Sequence, residues 1–496
     1  MTRATHSTPS DLAMTLHDQI CARFRALITD GGMAPGSRAP SLRSLAVELG
    51  VARGTVVAAY DRLIGEGYLS ARGTAGTFVA ARPPETRAAP PGPTSRQAAV
   101  PDAEPLSGDG TTPLPLQLGL PALDAFPRKV WARLISHHAR KMDSLMKPHP
   151  FGLPRLREAL AVYLHRSRGV EAQARQVFVV PGYEAGLALA SSALLAREDA
   201  AVVEDPGYPP TAHVLRRQGL VPVPVPVDDA GLDVEALKAT ANGARLAVVT
   251  PSHQSPLGVA LSLQRRRALL DWATAAGAWI FEDDYDGEYR YHGPPLPALK
   301  SLDRQERVVY GGTLSKVLYP GLRLAYLVVP PSLVDGFERA ARDALSGGCP
   351  TLMQEVVADF IEQGHFARHI KRMRALYAHR RGWLLDALKP YAAHGLSCAN
   401  PQGGMHLTIM LPPDSDDVRL AQAARRAGVA VHALSDWRRR QDGPPGLLAS
   451  FTNVESPDAA VEAVARLAAA LGLRPRPATR TMPPMPSASA KVRERP

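Results

Sequence analysis

Residues 311–323 read GGTLSKVLYPGLR, and the rest of the chain is organised around them. Lys316 stands among glycines and hydroxyl side chains, and Arg323 follows seven residues later, directly before an apolar run. Glycines let backbone N–H groups approach phosphate oxygens, Thr313 and Ser315 offer hydroxyls, and Arg323 offers a planar fork. The stretch therefore indicates an anion-binding loop that also holds an amine.

The amine narrows the choice of ligand, because a lysine of lowered pKa condenses with aldehydes. A phosphorylated aldehyde fits both features, and pyridoxal 5′-phosphate (PLP) is the obvious one. Upstream, the buried-strand pattern at residues 278–281 runs into an acidic segment. Side chains two apart on a strand face the same way, so Asp283 and Tyr285 would point together from its C-terminal end. There a carboxylate can hold the pyridine nitrogen protonated and a phenol can hydrogen-bond the ring oxygen.

A strand ending in Asp-x-Tyr, followed by Ser-Lys and a trailing arginine, resembles the fold-type I (aspartate aminotransferase-like) PLP enzymes. The resemblance implies that Lys316 forms a Schiff base with PLP. It also implies a set of residues around the cofactor, which are Gly182, Tyr183, Tyr208, Ser255, Asp283, Tyr285, Thr313, Ser315, Lys316 and Arg323. For Tyr208 two interpretations stay open, stacking on the pyridine or packing at the surface.

Apolar runs alternate with amphipathic stretches throughout residues 116–473. The strand-like runs are residues 177–180, 201–203, 246–249, 279–281, 308–310 and 324–329. This alternation predicts a mostly parallel sheet covered by helices, a PLP-dependent transferase domain of the α/β class. Ligands of such sheets lie at the carboxyl ends of the strands, where the candidate residues fall.

Composition sets broader bounds. The chain of 496 residues suits two or three domains, and 45% apolar with 21% charged residues is typical of a globular protein. No stretch approaches the ~20 apolar residues of a membrane helix, and the polar N-terminus does not resemble a signal peptide, so we expect a cytoplasmic location and no membrane partner. The three cysteines lack metal-ligand spacing, and no metal site is expected. A net charge of +11 permits a nucleic-acid partner.

Residues 10–82 show a second pattern. An apolar face at helical spacing begins at Leu16, a second helix fits residues 41–49, and a third fits residues 54–65. The short connection at residues 50–52 is typical of a helix-turn-helix. Two alternating segments joined through glycine, residues 68–72 and 77–79, predict a β-wing beside the helices.

This run resembles the winged helix-turn-helix of the GntR family, on motifs such as PGSR (35–38), PSLR (40–43), LGV (49–51) and EGYL (66–69). The resemblance implies that DNA is contacted by Arg43, Arg53, Thr55, Arg72 and Gly76. Residues 1–82 carry nine arginines, no lysine and six acids, so the excess charge is small. Phosphate contact must therefore come from individually placed arginines.

Nine prolines with Ala, Gly, Ser and Thr fill residues 83–115, which predicts a semi-stiff linker between two folded units. Residues 474–496 are similar in composition, and we expect a disordered basic tail there.

Three segments, TPSHQ (250–254), EDDYDGEYRY (282–291) and RHIKRMR (368–374), resemble the MocR/PdxR subfamily of GntR regulators, in which a GntR domain is fused to an aminotransferase-like PLP domain. The resemblance implies a homodimer that binds an operator with paired half-sites and senses PLP or a PLP–amino acid adduct in the control of vitamin B6 or amino-acid metabolism. The alternative is an active aminotransferase that carries a DNA-binding domain. Residues 447–454 lack the arginine that clamps the substrate carboxylate in active relatives, which favours sensing over turnover.

Overall fold

The computed structural model describes residues 15–81, 112–241, 243–291, 296–345, 347–398, 403–440 and 443–474. The chain divides into two compact units, Met1–Pro101 and Asp102–Pro496. Most of the predicted linker and all but the first residue of the predicted tail lie outside the described residues. Among the described residues, no helix combines the length and apolar content needed to cross a membrane.

The first unit contains three helices followed by two short strands. Its elements in chain order are α1 (Leu16–Thr29), α2 (Leu42–Leu49), α3 (Arg53–Gly65), β1 (Leu69–Ala71) and β2 (Thr77–Val79). The Ser41 hydroxyl caps α2 by accepting from the Ser44 backbone N–H at 3.1 Å. Gly50 ends that helix in the left-handed region at φ +64°, which glycine adopts without strain. These two local signals fix the turn between α2 and α3.

A small apolar core holds the three helices and the strands together. Phe24 of α1 meets Tyr60 of α3 edge to face at 5.4 Å, and the Tyr60 hydroxyl donates to the Pro40 carbonyl at 3.0 Å. The strands pair antiparallel, with Leu69 opposite Val79, and both of these side chains are buried. The winged helix-turn-helix prediction is confirmed.

The second unit begins with residues 112–120, which we call the entry segment, and continues through alternating strands and helices. Its helices are α4 (Arg128–His138), α5 (Pro154–Arg168), α6 (Tyr183–Leu194), α7 (Pro209–Arg217), α8 (Val234–Thr240), α9 (Leu263–Ala275), α10 (Val334–Ala344), α11 (Thr351–Glu362), α12 (His365–Leu388), α13 (Asp417–Arg426) and α14 (Pro457–Ala470). Its strands are β3 (Val177–Val180), β4 (Ala200–Asp205), β5 (Val221–Asp228), β6 (Gly231–Leu232), β7 (Leu246–Val249), β8 (Trp279–Asp284), β9 (Val308–Thr313), β10 (Ala325–Val328), β11 (Ser397–Cys398), β12 (His406–Met410), β13 (His432–Ala433) and β14 (Gly446–Ser450).

The large sheet has the strand order β3-β10-β9-β8-β7-β4-β5-β6. Strands β5, β4, β7, β8 and β9 run parallel, whereas β10 pairs antiparallel with both of its neighbours and β6 folds back on β5. All residues of β3, β7 and β10 are buried, as expected of strands covered by helices on both faces. The predicted mostly parallel sheet is confirmed, and the carboxyl ends of β4, β7, β8 and β9 share one edge.

A smaller antiparallel sheet of order β11-β12-β14-β13 lies near the C-terminus and packs with α12 and α14. Two side chains of β12 join it to the turn after β7, because His406 Nε2 and Thr408 Oγ1 lie 2.9 and 2.8 Å from the Pro256 carbonyl oxygen.

The entry segment is fastened to the same sheet. The Ser450 N–H donates to the Leu116 carbonyl at 2.9 Å, and the Asn453 amide donates to the Leu114 carbonyl at 2.6 Å. Leu114, which we predicted to lie in the linker, is therefore part of the folded second unit.

Candidate functional site

Lys316 lies three residues beyond the end of β9, in the turn before β10. Its ammonium group donates to the Gly119 carbonyl at 3.3 Å, and its side chain is partly buried. Burial lowers the pKa of Lys316, while the carboxylates of Asp286 and Asp283 act in the opposite direction. A lowered amine pKa leaves more of the neutral nucleophile at physiological pH.

Asp283 and Tyr285 stand beside this lysine at the carboxyl end of β8. Asp283 is 9% exposed, and burial raises its pKa well above the ordinary range, aided by the nearby Asp284 and Asp286 carboxylates. A cation bound beside Asp283 would stabilise its charged carboxylate and so oppose this rise in pKa. The Tyr285 hydroxyl lies 2.9 Å from His253 Nδ1, and burial raises the pKa of the phenol. The hydroxyl is thus present as a hydrogen-bond donor.

An anion seat forms where α6 begins. Gly182 precedes the helix at φ +133°, and no side chain caps the helix N-terminus. A Cβ atom on Gly182 would lie 3.1 Å from Arg323 Nη2, so the bare glycine leaves the guanidinium and the helix N-terminus facing one space. Thr313 Oγ1 accepts from the Ser315 N–H at 3.2 Å on the adjoining turn. The backbone N–H groups at the α6 N-terminus, the Arg323 guanidinium and the Thr313 hydroxyl can donate hydrogen bonds to a phosphate. The Glu184 side chain is exposed, so its negative charge is not buried beside that site.

Tyr208 is half-buried between two aromatic rings. Its ring centroid lies 5.6 Å from that of Tyr183 and 5.7 Å from that of Trp437. All three side chains line one pocket together with Asp283. Of the two interpretations of Tyr208, packing at the open surface is therefore the one that the geometry disfavours.

Ser255 lies in the turn between β7 and α9 and is 7% exposed. Its backbone N–H donates to Thr250 Oγ1 at 3.1 Å, and its side chain opposes the raised pKa of Tyr285. The structure thus gathers two groups of candidate residues, one around Lys316 and Asp283 and one around the α6 N-terminus.

Sequence reasoning missed three residues beside Lys316. His253 Nδ1 lies 3.1 Å from Asp286 Oδ2, and the rings of His253 and His406 meet at 5.6 Å. Burial lowers the pKa of His406 to about 4, so this imidazole is neutral. His253 and Asp286 adjoin segments that the sequence singled out, whereas nothing near His406 in the sequence indicated a role.

The C-terminal sheet contributes an apolar wall that contacts Tyr208. Leu448 of β14 is fully buried in a cluster with Leu118, Leu434 and Trp437, against which Tyr208 packs. Residues 446–454 contain no arginine. The described part of β14 therefore offers no cation for a substrate carboxylate.

In the first unit, the predicted DNA-contacting residues occupy helix starts and the wing. Arg43 and Arg53 are exposed in the first turns of α2 and α3, and Thr55 is partly buried beside Arg53. The Arg72 guanidinium lies 4.7 Å from the Phe78 ring centroid, and a Cβ on Gly76 would lie 3.1 Å from the Arg38 side chain.

Ion pairs occupy other arginines of the same unit. Arg25 donates to the Glu66 carboxylate through Nε at 2.8 Å and through Nη2 at 2.6 Å. Arg62 forms ion pairs with both Asp18 and Glu66. Within residues 15–81, no such pair forms at Arg43 or Arg53. Their charges are thus available to phosphates.

Comparison with known proteins assigns each unit to a family. Residues 16–79 match the bacterial regulatory proteins of the gntR family, and residues 117–440 match the aminotransferases of class I and II. The probable rhizopine catabolism regulatory protein MocR of Rhizobium meliloti is 38% identical over 460 residues, covering 90% of this chain and 92% of that protein.

Two further regulators are similar over most of both chains. The pyridoxine biosynthesis transcriptional regulator PdxR of Corynebacterium glutamicum is 33% identical and covers 87% of this chain and 91% of its own. The transcriptional regulator TauR of Rhodobacter capsulatus is 35% identical, with 82% and 87% covered.

Among solved structures, an archaeal alanine:glyoxylate aminotransferase is similar at a TM-score of 0.67 and 26% identity, over 73% of this chain and 91% of that one. LysN, the α-aminoadipate aminotransferase of Thermus thermophilus, is similar at a TM-score of 0.66 and 27% identity, over 72% and 92%. These likenesses agree with the topology of the large sheet.

Proposed function

Since the chain belongs to the MocR/PdxR subfamily of GntR-family transcriptional regulators, we propose that it controls transcription in response to PLP, or to an adduct of PLP with an amino acid. DNA binding belongs to the first unit and ligand binding to the second. The single observation that carries the proposal is the position of a partly buried lysine close to a buried carboxylate at the edge of an aminotransferase-type sheet.

The residues of this edge fit PLP. The α6 N-terminus with Arg323, Thr313 and Ser315 would hold the phosphate, and Asp283 would hold the ring nitrogen. Tyr285 and Ser255 would face the ring oxygen, while Tyr208 and Tyr183 would enclose the ring. Bound PLP would supply an aldehyde, and Lys316 is the amine placed to hold it covalently. The pyridinium charge would compensate the burial of Asp283, which otherwise disfavours its carboxylate.

Sensing is favoured over amino-acid turnover by the wall around Leu448. An active aminotransferase orients its substrate through a bidentate contact to the carboxylate. Here a fully buried leucine in an apolar cluster stands on β14. PLP binding would then alter DNA binding only if PLP binds one conformation of the regulator more tightly than the other. A ligand with equal affinity for both conformations does not shift the equilibrium between them.

DNA contact is assigned to Arg43, Arg53 and Thr55 at the helix starts and to Arg72 and Gly76 in the wing. Both Arg43 and Arg53 are exposed, and neither forms an ion pair within residues 15–81, which supports this assignment. We infer a homodimer in the cytoplasm that reads paired half-sites, since a single winged unit contacts only a short stretch of DNA.

A gel shift with DNA upstream of the chain's own gene, at increasing PLP, tests the proposal. We expect PLP to change the affinity or stoichiometry of the complex. Lys316→Ala should abolish that response and the absorbance of the lysine–PLP linkage, while Lys389→Ala, which removes an exposed lysine paired with Asp386, should alter neither.

Two results would contradict the proposal in different ways. A PLP response that is unchanged in Lys316→Ala removes the lysine from the mechanism. DNA binding that ignores PLP in every variant shifts the effector role from PLP to amino acids that react with the bound cofactor.

A further inference from the structure

A buried cluster beside Lys316 contains three residues, His253, Asp286 and His406, that have no role in holding the cofactor as described above, together with Tyr285, which does. It comprises His253 on the turn after β7, Tyr285 and Asp286 after β8, and His406 on β12. Asp286 is 1% exposed and His253 is 5% exposed. Groups of this kind are costly to bury, so their retention next to a reactive amine calls for a chemical reason.

The contacts of His253 Nδ1 are unusual. This one nitrogen lies 2.9 Å from the Tyr285 hydroxyl oxygen and 3.1 Å from Asp286 Oδ2. If Nδ1 carries the proton, it can donate to the Tyr285 oxygen and leave the Tyr285 O–H free to donate elsewhere, while the Asp286 carboxylate attracts the protonated nitrogen through its charge without a hydrogen bond. If Nδ1 is bare, it accepts from Tyr285 and consumes that donor. The neighbouring carboxylate favours the first state.

The fold makes room for this ring and isolates it. A Cβ on Gly404 would lie 1.9 Å from His253 Cε1, so glycine is needed where the chain approaches β12. His253 Nε2 is buried and has no hydrogen-bond partner among the described residues. The His406 ring beside it is held by the Pro256 carbonyl and is neutral. Among the described residues, Tyr285 is thus the hydrogen-bond partner of His253 Nδ1, and the Asp286 carboxylate, whose Oδ2 has no hydrogen-bond partner, acts on the ring through its charge.

We propose that Asp286 and His253 form a positioning pair, in which Asp286 holds the Nδ1–H tautomer of His253, frees the Tyr285 hydroxyl for the cofactor, and keeps the Lys316–cofactor nitrogen protonated. The inference rests on the proposed function, because it assigns a role at the same PLP site. The Asp286 and Asp283 carboxylates both oppose the lowering of the Lys316 pKa by burial. The ionisable groups that Asp286 influences from the surrounding elements are Asp283, Tyr285, Tyr291, Lys316 and His406.

The test is a spectrophotometric pH titration of the PLP-loaded chain, in which the absorbance of the lysine–PLP linkage reports its protonation. We expect Asp286→Asn to bind PLP and to lower the midpoint by about one to three pH units, the range for removal of a nearby opposite charge. Asp228→Asn should leave the midpoint in place, because Asp228 is exposed and paired with Arg265. An unchanged midpoint in Asp286→Asn would overturn the inference.

A second measurement covers the case in which Asp286→Asn does not fold. The ¹⁵N spectrum of histidine-labelled wild-type chain without PLP reports the tautomer of His253, assigned as the signal lost in His253→Asn. We expect a proton on Nδ1, and a proton on Nε2 would refute the pairing. If wild-type chain forms no borohydride-trappable linkage with PLP, the proposed cofactor fails and this inference fails with it, which the titration distinguishes from an unshifted midpoint.

Discussion

The ion pair behind the site gives a sharp stability prediction. Arg168 of α5 is 3% exposed and donates through Nε to Asp284 Oδ2 at 2.6 Å. Its remaining nitrogens donate to the Gly287 and Leu296 carbonyls at 3.1 and 3.0 Å and to Ser252 Oγ at 2.7 Å. One guanidinium thus secures the segments that carry Tyr285, Asp286 and His253.

The change Arg168→Met keeps the apolar stem and removes the charge. Asp284 would remain buried, and its remaining hydrogen-bond partner among the described residues would be the Tyr310 hydroxyl, which donates to Asp284 Oδ2 at 2.6 Å. Breaking a buried pair from one side costs roughly 3–5 kcal/mol, because it leaves an uncompensated charge. Each orphaned carbonyl adds to that cost. We therefore expect the free energy of unfolding of the second unit to fall by about 3–5 kcal/mol.

Urea unfolding followed by tryptophan fluorescence measures this unit selectively, since all five tryptophans lie beyond residue 101. Arg265→Met is the matched control, because its partner Asp228 is 55% exposed and such surface pairs contribute about 0–1 kcal/mol. Adding Asp284→Asn to Arg168→Met should recover part of the loss by removing the stranded charge. Equal losses for Arg168→Met and Arg265→Met would refute the reasoning.

Three further predictions concern single side chains. Burial raises the pKa of Glu204 to about 7 from its ordinary 4.5, so the folded chain keeps a proton that the unfolded chain releases, and stability present below pH 4.5 is lost as the pH rises to 7. Glu204→Gln should flatten that decline by roughly 3 kcal/mol in urea titrations at several pH values, and an unaltered slope would contradict the shift. Arg53→Ala should weaken operator binding by about 1–3 kcal/mol in gel shifts while PLP uptake stays normal, whereas Arg23→Ala, which removes an arginine paired with Glu48, should have little effect. Gly182→Ala should weaken PLP binding in absorbance titrations without changing DNA affinity, because the new Cβ enters the space before Arg323, and wild-type PLP affinity would exclude the anion seat.

Local signals explain why the first unit could be predicted almost to the residue. Ser41 and Gly50 mark the ends of α2 through contacts within the helix itself, so the sequence alone contains the information. The strands of the large sheet were predictable for a similar reason, because continuous apolar runs identify strands buried on both faces.

Prediction from sequence failed for strands that are defined by their pairing with other strands, and for contacts between residues far apart in the chain. Strand β5 alternates valine with Pro222, Pro224 and Pro226, and proline argues against a strand that must donate to two neighbours. It is tolerated here because β6 covers only the last residues of its outer edge. The sheet β11–β14 was missed because two of its strands contain only two residues each.

The site was predicted in part for the same reasons. Lys316, Asp283 and Tyr285 lie on short motifs whose geometry follows from strand periodicity. His406 comes from a different sheet, more than a hundred residues away in the chain, and reaches His253 only because β12 docks on the Pro256 turn. The spacing of His253 and His406 in the sequence therefore does not predict that their side chains are in contact.

The entry segment gives Lys316 a second significance. This segment, whose first residues fall within the predicted linker, is hydrogen-bonded at Leu114 and Leu116 to the C-terminal region and at Gly119 to the Lys316 ammonium group. A Cβ on Gly119 would lie 2.7 Å from Lys316 Nζ, so a side chain at residue 119 would collide with the Lys316 amine. The atom that would capture the cofactor is therefore also a fastener of the peptide leading back to the DNA-binding unit. A bond between this amine and the cofactor would therefore compete with its hydrogen bond to Gly119, which is one of the three contacts named here that hold the entry segment.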